Sequence, residues 1–130
     1  MKTGKNYKAS SFGEINKVGR VTLHDELILT GSEISINNLP AGVSVPFVHA
    51  HKRNEEVYVV LAGKGQFYVD GEEFDVEEGS VLRLDPAAAR CIKAGIQGPL
   101  RYMCIQTEAK SLIQFTENDG VPVDGKPSWL

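Results

Sequence analysis

The chain is punctuated at short intervals. β-favouring runs are broken by Gly, Pro, Asn and Asp before any of them is long enough for a helix of ordinary length. Glu26–Thr30 and Glu33–Ile36 are split by Gly31-Ser32. Asn37 to Gly42 is a turn by composition. Val43–Val48 is rich in β-branched residues but interrupted by Pro46, which has no N–H for a ladder. Glu56–Leu61 carries Val57, Tyr58, Val59 and Val60 in a row and is closed by Gly63-Lys64-Gly65. Asp70-Gly71 stands between Gln66–Val69 and Glu73–Val76, the signature of a two-residue type I′ hairpin. Val81–Leu84 ends at Asp85-Pro86, and Cys91–Lys93 and Leu100–Thr107 follow around Gly95 and Gly98-Pro99. Only Glu108–Phe115 has any helical character. Turns at a spacing of about 8–12 residues predict an all-β sandwich or barrel of about eight to ten strands.

One domain is expected, because 130 residues divided in two would leave pieces too small to bury good cores. Within it, residues 1–20 read as a polar arm or edge strand, about 30–107 as the barrel, and 118–130 as a Gly/Pro-rich tail. The tail ends in Pro127-Ser128-Trp129-Leu130. It has two readings: it folds back on its own barrel, or it docks on a second subunit.

Composition excludes several classes. Hydrophobic residues are 42% and charged residues 24%, so the chain can bury a core and is not globally disordered. A net charge of −3 gives neither the basic stripe of a nucleic-acid binder nor a polybasic patch for an anionic membrane. No apolar run of spanning length is present, and none follows the lysines of Met1 to Ser10 as in a secretory signal. With two cysteines, Cys91 and Cys104, the reading is free thiols in a cytoplasmic protein.

The chemistry concentrates at His49, His51 and Glu56. Residues i and i+2 of a strand face the same way, about 6.8 Å apart at a rise of about 3.4 Å per residue, so two imidazoles there can converge on one ion. Glu56, at the start of the next strand, offers a carboxylate across the ladder. Two His and one carboxylate form an open set that leaves positions for substrate. The alternative is a pair of exposed loop histidines beside ordinary surface acids. Tyr58 shares the face of Glu56, one pleat deeper, where its phenol serves either a substrate or the core. Arg83, Arg90 and Arg101 are equally readable as attractors of an anionic substrate or as surface salt-bridge partners. His24, beside Asp25, reads as a turn residue, and Cys104 as core.

Gly42 to Gly63 resembles the first conserved motif of the cupin superfamily, G-x5-H-x-H-x3/4-E-x6-G. Six residues rather than five separate Gly42 from His49. Glu56 satisfies both the spacer after His51 and the distance to Gly63, whereas Glu55 misses the glycine by one. A one-residue slip turns a strand side chain to the other face, so only one of the two can be a ligand. The second motif, G-x5-P-x-G-x2-H-x3-N, is matched less well. Gly79 and Pro86 are present with six residues between them, Ala88 replaces the glycine, Cys91 the histidine and Gly95 the asparagine. Cys91 thus stands at the fourth ligand position, either as a thiolate ligand or as a space-filling thiol.

The resemblance implies a jelly-roll barrel (a double-stranded β-helix) with a central pocket, and a homodimer. It also implies a divalent transition metal (Fe, Mn, Ni or Zn) held by His49, His51 and Glu56, with Cys91 as a candidate fourth ligand, and a small-molecule partner. Small cupins include sugar and sugar-phosphate isomerases or epimerases and small-molecule dioxygenases. Others hold a ligand, with or without metal, and do not turn it over. Both readings stand at this point, because a fold does not fix a chemistry.

Overall fold

The structure, a computed structural model, describes residues 1–115 and 117–130. Ten strands are assigned among them. β1 (Lys2–Thr3) and β2 (Lys8–Ala9) form a small exposed hairpin. β3 (Arg20–Thr22) and β4 (Glu33–Leu39) are joined through a short helix, α1 (Leu23–Leu27). There follow β5 (Asn54–Ala62), β6 (Lys64–Val69), β7 (Glu72–Glu77), β8 (Val81–Leu84), β9 (Arg90–Ala94) and β10 (Leu100–Glu108). A five-stranded sheet in the order β3-β4-β10-β5-β8 and a three-stranded sheet in the order β7-β6-β9, both antiparallel, supply the barrel walls.

The period-two alternation decides which faces meet. In β5, Glu56, Tyr58 and Val60 are buried while Val57 and Val59 are only half-buried. Tyr102, Cys104 and Leu100 of β10 point the same way, as do Ile92 and Ala94 of β9 and Phe67 of β6. Each fully buried Val, Leu, Ile or Phe is worth about 1.5–3 kcal/mol, so this inner layer is the main source of stability. Tyr58 lies at its centre, edge-on to Phe67 at 5.0 Å and stacked on Tyr102 at 5.6 Å.

Two turns show why the strands are short. Asp70 (φ 49°) and Gly71 (φ 90°) form the expected two-residue turn, with Val69 opposite Glu72. Gly63 joins β5 to β6 at φ 87°, and a Cβ there would collide with the carbonyl of Pro99.

Two segments differ from the sequence reading, and for a third one of two readings falls away. Glu26–Thr30 is not a strand: Leu23–Leu27 is helical, with Asp25 and Glu26 in its first turn, and Ile28 ends it in the left-handed region at φ 55°. Glu108–Phe115 is not a helix, because β10 runs to Glu108 and a turn follows. The tail does not fold back on its own barrel, since Trp129 is 82% exposed and Val121, Val123 and Leu130 are exposed too.

Candidate metal centre

Glu56 is the fixed point. It lies on a strand hydrogen-bonded on both sides, opposite Gln106 of β10 and Leu84 of β8. Its side chain is turned inward and only 3% exposed, whereas Glu55 is half-buried on the other face.

The histidines arrive differently. Residues 43–51 form no strand; single bridges tie Ser44 to Lys93 and His49 to Arg90. The amides of His49 and Arg90 each donate to the other's carbonyl, at 3.1 and 2.9 Å, and the His51 amide donates to the Pro86 carbonyl at 2.8 Å. These ties keep the i, i+2 geometry of an extended chain and turn both imidazoles toward Glu56.

The structure brings His49, His51 and Glu56 together, with one potential ligand atom of each within 4.8 Å of the others. His49 Nε2 lies 3.8 Å from Glu56 Oε1, and His51 Nε2 lies 3.2 Å from Glu56 Oε2. The latter pair lacks the alignment of a hydrogen bond, so among the described residues His51 Nε2 is buried without a hydrogen-bond partner, and so is His49 Nδ1. A buried, unpaired ring nitrogen is costly unless something else takes its lone pair or proton. Burial holds His49 below its ordinary pKa against the opposing charge of Glu56, which favours the neutral, ligating imidazole. The rings stand nearly perpendicular at 5.1 Å, and Phe47 packs edge-on to His49 at 5.7 Å. With His49 30% and His51 25% exposed against 3% for Glu56, solvent reaches the group from the histidine side.

Cys91 is not in this group. Along β9, Arg90, Ile92 and Ala94 face inward, and Cys91 faces the other way, its thiol donating to the Val45 carbonyl at 3.2 Å. The physical reason is the extra residue before Pro86. Anchoring the second motif on Pro86 puts Cys91 at the histidine position. Counting the motif's own spacing from Gly79 puts Arg90 there, and a slip of one residue reverses the face.

Arg90 is the residue that sequence reasoning undervalued. It is wholly buried, with 0% exposure. Its Nη1 donates to Glu56 Oε1 at 3.0 Å and its Nη2 to the Asp85 carbonyl at 2.7 Å. Its Nε is buried without a partner among the described residues. Cys104 was also undervalued as plain core. It sits diagonally across the β5–β10 ladder from Glu56, and its thiol donates to Glu56 Oε2 at 3.1 Å. Burial, then the neighbouring charge of Glu56, raises its pKa and keeps it a thiol. The Tyr58 hydroxyl donates to Glu56 Oε1 at 3.4 Å, and burial likewise raises the phenol's pKa. An open groove of about 890 Å³, lined by residues such as Gly65, Gln66, Ala94 and Pro99, contains none of these residues.

A family model of the cupin domain, Cupin_2, matches residues 36–106, which take in the histidine segment, β5 to β9 and part of β4 and β10. The chain belongs to this family. A crystal structure of a cupin protein from Bacteroides fragilis is 48% identical, covering 92% of this chain and 99% of that one, with a TM-score of 0.86. A sugar phosphate isomerase of the cupin superfamily from Silicibacter pomeroyi is 18% identical, covering 70% of this chain and 60% of its own, with a TM-score of 0.62. At that identity the likeness shows the fold alone. An uncharacterised protein of Methanocaldococcus jannaschii is 32% identical over 66 residues. That match covers 51% of this cupin and 52% of the relative, so the chain spans about half the relative's length. No helix among the described residues is long and apolar enough to cross a membrane.

Proposed function

We propose that this cupin binds a divalent transition ion through His49, His51 and Glu56 and acts on a small molecule at the ion's open positions. The observation that supports this reading is the convergence of His49, His51 and Glu56, with one potential ligand atom of each within 4.8 Å of the others and His51 Nε2 buried, unpartnered among the described residues, 3.2 Å from the carboxylate. Iron, manganese, nickel and zinc all suit two imidazoles and a carboxylate. Bound there, such an ion supplies a Lewis acid for a substrate oxygen and, if redox-active, an electron-transfer partner.

The chain's own residues narrow the chemistry. Isomerisation or epimerisation of a sugar or sugar phosphate needs a general base within reach of the carbon acid, and sugar phosphate isomerase is the activity in the name of the Silicibacter pomeroyi protein. Tyr58 and Cys104 are held protonated by burial, and Glu56 is the one carboxylate of the group. This favours oxidation of a small molecule, as in a dioxygenase, over isomerisation. It also favours a second reading, in which the barrel holds a ligand without turnover. Tyr58 contributes by fixing Glu56 and closing the floor of the site; in this reading its hydroxyl reaches a substrate only by leaving the carboxylate. A homodimer belongs to the same proposal, with the exposed Trp129 and its neighbours as the surface a second copy would cover.

Metal analysis of the purified protein against the His49→Ala/His51→Ala variant tests the site. Stoichiometric metal in the parent, absent from the double variant, is expected. No metal in either, with thermal stability unmoved by Fe, Mn, Ni or Zn, would overturn the proposal.

A further inference from the structure

Arg90 changes the charge of the site that the metal reading describes. A carboxylate ligand ordinarily cancels one of the two charges of a divalent ion. Here the guanidinium 3.0 Å from Glu56 Oε1 already cancels that carboxylate. Both groups are buried, Arg90 completely, so solvent screens little of their effect. The Cys104 thiol donates to Glu56 Oε2 as a neutral group and is not one of the mutually close ligand atoms, and no other acid or thiol joins them among the described residues. Asp85 holds Arg90 by its carbonyl, while its carboxylate is exposed and paired with Arg83 at 3.2 Å. A divalent ion held by two neutral imidazoles and Glu56 therefore keeps both of its charges uncompensated in a half-buried site. An ion that draws on Glu56 also weakens the hold on Arg90, whose Nε already lacks a partner.

We propose that the small molecule taken by this site is an oxyanion, a carboxylate or phosphate monoester, and that it binds cooperatively with the metal. The inference rests on the metal reading above. The anion fills the open coordination positions on the solvent-facing histidine side and supplies the negative charge that Arg90 has cancelled. Because coupling between two ligands is reciprocal, metal raises the affinity for the anion by the same factor by which the anion raises the affinity for metal. Arg90 acts here as a positioning and charge-setting residue. It does not clamp the substrate, since two of its nitrogens are committed to Glu56 and Asp85.

The test is Co²⁺ binding to the purified wild-type protein, followed by visible absorption and calorimetry, with acetate, methyl phosphate or the neutral acetamide present. Tightening of Co²⁺ by about fivefold or more with acetate or methyl phosphate, and not with acetamide, is expected. Which of the two anions acts tells carboxylate from phosphate. Equal effects of acetate and acetamide, or no effect of either anion, would overturn the inference while leaving the metal site standing. Failure of the protein to bind Co²⁺ at all would instead sink the metal reading beneath it. In Arg90→Gln, Co²⁺ should bind more tightly than in the wild type without any anion, and the anion effect should shrink. An undiminished anion effect in that variant would count against the role of Arg90. If Arg90→Gln does not fold, the wild-type comparison of acetate with acetamide decides the matter by itself.

Discussion

The two sources of the metal-ligand group differ in how firmly they are built. Glu56 stands on a nine-residue strand paired on both edges, and its two oxygens accept from Arg90, Tyr58 and Cys104. His49 and His51 stand on a segment outside any strand, held by a few backbone bonds to β9 and to Pro86. A ligand packed into a rigid element is preorganised, whereas a tethered segment opens at lower free-energy cost. The site thus joins one immobile acid to two adjustable bases. Substitutions on the two sides should separate into those that damage the fold and those that damage only the ion's affinity.

Glu56→Gln should show the largest effect. It removes the negative partner of a fully buried guanidinium, and breaking a buried pair from one side costs about 3–5 kcal/mol. We expect a loss near the lower figure, because the amide oxygen still accepts a hydrogen bond, together with loss of metal binding. Urea denaturation of the metal-free variant measures the first and metal analysis the second. A loss smaller than that of His49→Ala would break the contrast between the two regions. Tyr58→Phe should follow, at about 1 kcal/mol, because it deletes a hydroxyl that donates to Glu56 from 3.4 Å and leaves the ring stack intact.

On the histidine side the scale drops. His49→Ala/His51→Ala should cost the metal-free protein less than about 1 kcal/mol, since both rings are partly exposed and neither makes a side-chain hydrogen bond. The same variant should abolish any thermal shift on adding metal. His49 also leaves a pH signature. Its folded pKa lies below the unfolded value near 6.5, so the unfolded chain takes up the proton first as pH falls. Its contribution is flat above that value, and stability declines below it until the folded imidazole is protonated too. Denaturation at several pH values should show His49→Ala with a shallower decline through that window than the parent. An unchanged slope would mean that His49 is not desolvated as its position indicates.

The same contrast explains what could be read in the residues beforehand. The Glu56 strand was legible because Val57 to Val60 favour a strand and the glycine count fixed the face. Asp70-Gly71 and Val81–Leu84 were legible for equally local reasons. The histidine pair was legible as a motif but not as a structure, because backbone ties to β9 and Pro86, not a ladder of its own, keep the segment extended. Glu26–Thr30 misled because Leu-Ile-Leu suits a strand, while the local preference of Asp25 and Glu26 for a helix start prevailed in α1. Arg90 was visible only as one arginine of three. Its burial is a consequence of strand register, and the extra residue before Pro86 obscured that register.

Glu55→Gln makes the smallest and sharpest test of that register. Glu55 and Glu56 have the same chemistry, adjacent positions and the same strand, and differ only in which way the pleat turns them. Glu55 is half-buried opposite Thr107, away from the histidines. Its substitution should change stability by no more than about 0.5 kcal/mol and leave metal binding as in the parent. Both quantities come from one pair of titrations, denaturant and Co²⁺, run beside Glu56→Gln. If Glu55→Gln were the variant that lost the metal, the strand would have to be shifted by one residue in solution. Every inward group on β5 would then face solvent, and Glu55 would take the place of Glu56 as the counter-charge of the buried Arg90.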